Sequence, residues 1–272
     1  MAVESAAEPR WDVVVVGAGP AGATAARELA RRRLSVLLVD KAPFPRWKVC
    51  GCCLNGAALA ALSQVGLGDL PDQLGAVRLT RWQLAARAGR FTCSLPAGLS
   101  VSRAAFDARL VDEAVDAGAT FLPETRAELS DQAGGSNALQ LTLNLNSQRE
   151  TMCARVVVSA DGLGGMFLGR REEFAPTIAR SARVGAGAVL DEGPDYYHPG
   201  TIFMAAGRGG YVGLVRLEDG RIDVAAAFDH ELVRDCGRPA DAAVRILEES
   251  RYPLPNGILD APWRGTPALT RK

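Results

Sequence analysis

Histidine is almost missing from this 272-residue chain, which carries only His198 and His230. With Cys50 and Cys53 at C-x₂-C spacing but no second such pair, the sequence gives no reason to expect a metal centre. Net charge is missing as well. Thirty-one basic residues balance 31 acidic ones, with no long basic block, so no field draws the chain to nucleic acid or an anionic membrane. No uncharged apolar stretch reaches the roughly 18 residues that span a bilayer. The longest candidate, residues 13–30, is interrupted by glycines and Pro20 and carries Arg27 and Glu28. Residues 1–10 lack the basic start and apolar core of a signal peptide. The expectation is a cytoplasmic protein with no transmembrane segment and no nucleic-acid partner. The six cysteines, at 50, 52, 53, 93, 153 and 236, are then expected as reduced thiols rather than a disulfide framework.

What is present is enough to build a core. The chain is 48% hydrophobic and 23% charged, and its length suits one large α/β domain or two domains sharing a core. Residues 12–16 form a short β-branched run, the pattern of a strand buried on both faces of a parallel sheet. A glycine-rich turn, an alanine-rich helix over 21–33 and a second buried strand over 35–39 complete a βαβ unit. Residues 43–55 read as an extended loop and 57–65 as a helix. A hairpin is expected within 77–95, turning at Ala88-Gly89-Arg90. Ser102 is placed to cap a helix over 102–117, whose Phe106, Leu110, Val111 and Ala114 recur at helical spacing. Strands follow at 120–122 and 139–145, the latter after a polar turn at 132–137, and a buried parallel strand at 155–160. From 182 the pattern becomes antiparallel, with strands at 182–190, 201–205, 210–216 and 222–228 and a helix at 241–250.

The sharpest motif is Gly17-Ala18-Gly19-Pro20-Ala21-Gly22, which follows a strand, opens a helix and is answered by Asp40, 18 residues after Gly22 (40 − 22). Gly17 permits the tight turn. Gly19 lets a pyrophosphate approach the backbone at a helix N-terminus, Gly22 lets helix and strand pack closely, and Asp40 can accept from a ribose hydroxyl. This is the pattern of a dinucleotide site, which leaves FAD and NAD both open.

Several segments, in order along the chain, resemble the FAD-dependent family of geranylgeranyl reductases, aromatic hydroxylases and related halogenases. Residues 12–41, ending in Asp40-Lys41, resemble its adenine-end motif. Pro43-Phe44-Pro45-Arg46-Trp47-Lys48-Val49-Cys50-Gly51 is similar to the F-P-R-x-K-x-C-G loop of its reductase-like branch. Val101-Ser102-Arg103-Ala104-Ala105-Phe106-Asp107 resembles an R-x-x-F-D helix start, and Ala160-Asp161-Gly162 an A-D-G element near the flavin. Gly210-Tyr211-Val212-Gly213-Leu214-Val215 falls where reductases carry G-Y-x-W-x-F.

The resemblance implies FAD as cofactor, with NAD(P)H or another external reductant, such as a partner reductase, as transient electron donor, and a small apolar substrate. It implies an α/β fold, a doubly wound, Rossmann-like parallel FAD-binding sheet with an inserted antiparallel substrate sheet. The expected division is 1–76 with 96–181 for FAD, 77–95 with 182–262 for substrate, and 263–272 as the start of a further FAD-binding segment. The cofactor-binding set is then Gly17, Gly19, Pro20, Ala21, Gly22, Asp40, Lys41, Arg46, Lys48, Arg103, Asp161 and Gly162. Within it, Arg103 would reach the phosphates or adenosine, and Asp161 and Gly162 the pyrophosphate and ribityl region. Arg46 and Lys48 either contact phosphate or reduced flavin or are simply solvated. Cys50 and Gly51 would lie beside the flavin ring, with Cys50 a proton donor, a pocket wall or a small apolar filler, and Cys52 and Cys53 ranked behind it. Tyr211 would face substrate. His198 reads as a turn residue before an acid or base.

Two features depart from the reductase pattern. Gly213 replaces its tryptophan, and Val215-Arg216 replaces an aromatic-Pro-Lys ending, which argues against a prenyl chain. The late Gly-Asp motif of the family does not occur before Lys272. Gly68-Asp69 comes too early to be it, and Gly185-Ala186-Gly187 reads as strand, so no separate nicotinamide domain is expected. The leading expectation is a reductase of a carbon–carbon double bond. The alternatives are a monooxygenase or halogenase, in which reduced flavin meets oxygen, and an inactive fragment.

Overall fold

The computed structural model describes residues 11–134, 138–145, 148–165, 167–169 and 171–270. The chain divides into two compact units, the described parts of Met1–Arg46 with Phe106–Pro176, and Trp47–Ala105 with Thr177–Lys272. Segments 47–76 and 96–105, grouped with the flavin domain from sequence, lie in the second unit, as does 263–272.

The first unit is built on a six-stranded sheet. Its order is Thr120–Leu122, Val36–Val39, Trp11–Val16, Gln148–Ser159, Ala138–Leu145 and Thr125–Gly134. The first four strands run parallel and the last two are antiparallel additions. The β-branched run pairs Val13–Val16 with Val36–Val39 on one side and Val156–Ser159 on the other. Val14, Val16, Leu37, Val39, Leu141 and Leu143 are buried together. Each such side chain contributes about 1.5–3 kcal/mol by leaving water. Strand 155–160, expected to be buried, is instead the C-terminal part of a longer strand that ends at Ser159, and Val156 is 50% exposed. Its parallel pairing gave it a β-branched sequence without covering both faces. The polar turn expected at 132–137 is strand through Gly134, and residues 135–137 lie outside the described residues.

Helix Pro20–Ala30 packs on this sheet through Gly22, Ala23, Ala26 and Ala30. Its buried face is made of the smallest side chains, so helix and strands approach closely. Gly17 has φ +105°, and a Cβ there would overlap the Ala160 carbonyl oxygen; a Cβ on Gly22 would overlap the carbonyl oxygen of Gly17. Both positions therefore require glycine on steric grounds.

The second unit is dominated by a seven-stranded sheet in the order Arg264–Ala268, Val184–Leu190, Ile222–Phe228, Gly210–Arg216, Thr201–Gly207, Arg81–Ala86, Gly89–Ser94. All pairs are antiparallel except Thr201–Gly207 with Arg81–Ala86. Arg264–Ala268 thus supplies an edge strand to this sheet. One face carries Phe203, Val212, Leu214, Val224, Ala226 and Phe228 and packs against Ala242, Ala243, Ile246 and Leu247 of helix Pro239–Glu249. Tyr197 closes this core edge-on to Phe203 at 5.1 Å, and its hydroxyl donates to the Pro253 carbonyl at 2.6 Å. Loop 43–55 ends in a short strand, Cys53–Asn55, which pairs with Gly98–Ser100 beside Val77–Arg78.

Gly22→Ala forces the helix off the strand, an overpacking cost of about 1–3 kcal/mol. At this chain length thermal denaturation followed by circular dichroism should show a fall in Tm of about 2–10 °C; an unchanged Tm would show that the turn relaxes freely.

Candidate functional site

In the first unit the glycine turn delivers the start of helix Pro20–Ala30 with nothing attached. Its N-cap is Gly19, no side chain caps it, and no acidic residue stands in the first turn. The amides of Ala21 and Gly22 are among the first-turn donors that a helix leaves without an intrahelical partner, at the positive end of its dipole. Pro20, at the first position, has no amide to leave unsatisfied. This arrangement fits a dinucleotide pyrophosphate.

Asp40 does more than await a ribose. Its Oδ2 accepts the Ala18 amide at 2.8 Å and its Oδ1 the Ala42 amide at 2.9 Å, so it fixes the conformation of the turn. A carboxylate has about four acceptor positions, which leaves room for a hydroxyl. Arg46 spends its charge inside the same unit. Its Nη1 lies 2.9 Å from the fully buried Asp107 and its Nη2 3.4 Å from Asp40, with the guanidinium over the Phe44 ring at 4.7 Å. The sequence left Arg46 either a phosphate or flavin contact or a solvated charge; the structure pairs it with two carboxylates. Lys41 and Lys48 are exposed. Asp161 accepts from the Phe167 amide at 2.9 Å and the Ser159 hydroxyl at 3.1 Å, and Gly162 follows with φ +75°. The Asp161 backbone lies directly against Gly17. The turn, Asp40 and Asp161-Gly162 are therefore brought together.

The second unit assembles a different set. Directly paired residues share a face of a sheet. The face opposite the helix-covered core carries four-strand rungs, Ile202, Val215, Asp223 and Val189, then Met204, Gly213, Ala225 and Gly187, then Ala206, Tyr211, Ala227 and Gly185. It is apolar and small except at Tyr211 and Asp223. The Val49–Cys53 loop lies against one end of it. Val49 approaches the position a Cβ would take on Gly187, and Cys50 and Cys52 pack with Val189, Ile202, Val215 and Leu217. Tyr211 lies four residues along its strand from Val215, roughly 13 Å away at the usual strand rise. There it is 36% exposed and stacked by the Arg183 guanidinium at 5.7 Å. Tyr211, expected to face substrate, and Cys50, expected beside the flavin ring, occupy opposite ends of this face.

Asp223 is the residue that the sequence reading passed over. It is 1% exposed, and neither carboxylate oxygen has a hydrogen-bond partner. Burial pushes its carboxyl up to about 8. The Cys52 thiol and Trp47 indole lower it somewhat, and the negative Cys50 sulfur raises it further. Cys50 moves the other way. Hydrogen bonding from Cys52 holds it down to about 5 against the cost of burial, and Arg103 assists by charge and hydrogen bond. Cys52, buried and held at φ +51°, is pushed strongly up because its proton is the one donated to Cys50, and burial adds to this. Cys53 is exposed, its thiol donating to the Gly51 carbonyl at 2.9 Å. Arg103, expected at the phosphates or adenosine, thus supports the Cys50 thiolate. It occupies the first turn of helix Arg103–Asp116, which Ser102 caps by accepting the Ala105 amide at 3.2 Å. The missed signal was a single charge inside the apolar run Ile222-Asp223-Val224-Ala225-Ala226-Ala227-Phe228.

A Rossmann-like parallel sheet with an uncapped, acid-free helix start after a glycine turn defines a dinucleotide-binding protein. The chain belongs to the FAD binding domain family, whose pattern matches residues 10–186. It is 37% identical over 170 residues to the menaquinone reductase of Mycobacterium tuberculosis, an overlap of 59% of this chain and 40% of that protein. It is 31% identical over 158 residues to the geranylgeranyl diphosphate reductase of Rhodobacter capsulatus, 56% of this chain and 38% of that one. The chain thus matches about two fifths of the length of these relatives. Its fold is similar to that of the myxobacterial chondrochloren halogenase CndH, at TM-score 0.77 and 21% identity over 96% of this chain and 64% of the halogenase. No helix among the described residues is long and apolar enough to cross a membrane.

The Asp223 carboxyl binds a proton in the folded chain between about pH 4 and pH 8, where the unfolded chain does not. Folding stability from this group is therefore greatest below the unfolded pKa and is lost as pH rises toward 8. Asp223→Asn removes that loss, so its gain in Tm over the parent chain should grow from pH 5 to pH 8.5. A gain independent of pH in differential scanning calorimetry would mean the carboxyl is not displaced.

Proposed function

We propose that this protein is a flavin-dependent reductase of a carbon–carbon double bond in an apolar substrate. The observation that carries the reading is the cluster of Cys50, Cys52 and the buried Asp223 carboxyl at one end of an apolar sheet face. Bound FAD would supply hydride, received from an external donor such as NAD(P)H. The chain must then supply a proton, and an acid that loses its proton near neutral pH suits that task. The first unit would hold the cofactor through Gly17, Gly19, Ala21, Gly22, Asp40 and Asp161-Gly162. The apolar rungs of Gly187, Gly213, Ala225 and Met204 would seat a substrate with few polar groups. The relatives' names make menaquinone and geranylgeranyl diphosphate the first substrates to offer.

The test is anaerobic. FAD-loaded protein, reduced with NAD(P)H or dithionite, is mixed with each substrate and the product is weighed by mass spectrometry. The expected product gains two hydrogens and no oxygen. Cys50→Ala should keep the bound-flavin spectrum while product formation falls by about 10²-fold or more, the usual contribution of a positioned acid. A product that forms only in air and carries oxygen or halogen would overturn the reading in favour of a monooxygenase or halogenase.

A further inference from the structure

Charge balances over the whole chain but not along it. Between Asp72 and Asp107 there is no acidic residue, and Arg78, Arg81, Arg87, Arg90 and Arg103 all fall in that stretch. Arg103 is directed to Cys50, whereas the other four are exposed. Elsewhere Arg109, Arg155, Arg221, Arg238 and Arg245 each meet a carboxylate at 2.6–3.3 Å. Among the described residues, Arg78, Arg81, Arg87 and Arg90 meet none. Arg90 lies instead over the rings of Tyr196 and Tyr252, at 5.5 and 4.9 Å, and donates to the Arg251 carbonyl at 3.1 Å. Its charge stays uncompensated.

These arginines bracket the outermost hairpin of the seven-stranded sheet. Arg81 opens strand Arg81–Ala86, Arg87 stands in the turn, Arg90 follows on the edge strand Gly89–Ser94, and Arg78 precedes them on Val77–Arg78. From Arg81 to Arg87 the row covers about 20 Å at the usual strand rise. Between its ends the hairpin shows apolar surface. Phe91 is 59% exposed and pairs with the half-buried Leu84. Among the described residues no strand covers the outer side of Gly89–Ser94, where every residue except Cys93 is exposed.

We propose that this hairpin docks on an anionic lipid surface. The four guanidiniums meet headgroup phosphates, which they can grip through two parallel hydrogen bonds, and Phe91 enters the boundary with the acyl chains. Charge complementarity chooses the sign of the partner, and the exposed ring chooses its kind. A polyanion without an apolar layer would answer the arginines and leave Phe91 in water. The contact is peripheral and reversible, because one ring and a few charges hold far less firmly than a spanning helix. It depends on neither flavin nor reaction, and so is independent of the reductase reading.

The test is co-sedimentation with vesicles of phosphatidylcholine alone and of phosphatidylcholine with about one third phosphatidylglycerol. The chain should pellet with the anionic vesicles only, and less so as salt is raised. Substituting Arg78→Gln, Arg81→Gln and Arg87→Gln together should weaken binding about 10²-fold, at about fivefold for each basic residue beside an anionic leaflet. Arg87→Glu, confined to the turn and outside the strand ladder, should alone weaken it about tenfold or more. Phe91→Ser should weaken it about tenfold while leaving the salt dependence unchanged. Equal binding to neutral vesicles, or an Arg87→Glu chain that binds anionic vesicles as the parent does, overturns the proposal. So does a preference for duplex DNA or polyglutamate over the anionic vesicles, which would assign the arginines to a nucleic acid or an acidic protein. The reductase reading stands or falls separately, on the anaerobic product.

Discussion

The closest constraint in the first unit is the absence of two Cβ atoms. Gly17 and Gly22 let helix Pro20–Ala30 start almost in contact with the strand end at Ala160, and no other residue leaves enough space. Several features follow from that proximity. The first-turn amides stand clear of any side-chain cap, Asp40 can reach across to tie down Ala18, and Asp161-Gly162 is brought alongside. The alanines on the helix's buried face continue the same economy of volume. A larger residue at 23 or 26 would lift the helix from the sheet and carry its first-turn amides with it.

The charged groups around that turn show why motif resemblance and atomic role can part company. Arg46 lies in a loop whose pattern left a phosphate or flavin contact or a solvated charge open, and its guanidinium pairs at 2.9 Å with the fully buried Asp107. Breaking a buried ion pair costs about 3–5 kcal/mol, so this contact anchors the loop to the helix start. The R-x-x-F-D start and the F-P-R loop are then two halves of one ion pair, a relation that neither segment discloses alone.

Most of the backbone was legible in sequence because each element carried a local cause. The βαβ unit announced itself by β-branched runs around a glycine turn, and helix Arg103–Asp116 by its cap and spacing. Strand Thr125–Gly134 was not legible, since it pairs only with its antiparallel neighbour and has no apolar alternation of its own. The dinucleotide turn was readable for the same reason as the helix, whereas the Cys50–Cys52–Asp223 set joins residues more than 170 positions apart and depends on which sheet face the loop covers. Alternation along Ile222–Phe228 cannot reveal it, because one face of that strand carries Ile222, Val224, Ala226 and Phe228 and the other sets Asp223 beside Ala225 and Ala227, so both look apolar.

The substitution of Gly213 for a large aromatic residue acquires a physical meaning on that face. Gly213 shares a rung with Met204, Ala225 and Gly187, and a Cβ added there would meet only the Ala225 carbonyl oxygen at 3.6 Å and the Met204 methyl at 3.9 Å, ordinary contact distances. The space is real and is not demanded by backbone crowding, in contrast to Gly22. Gly187 beside it is the reverse, since the Val224 carbonyl and Val49 leave its Cβ no room. One glycine on the rung therefore serves the fold and lets the thiol-bearing loop lie down, while the other is a position at which the backbone tolerates a side chain.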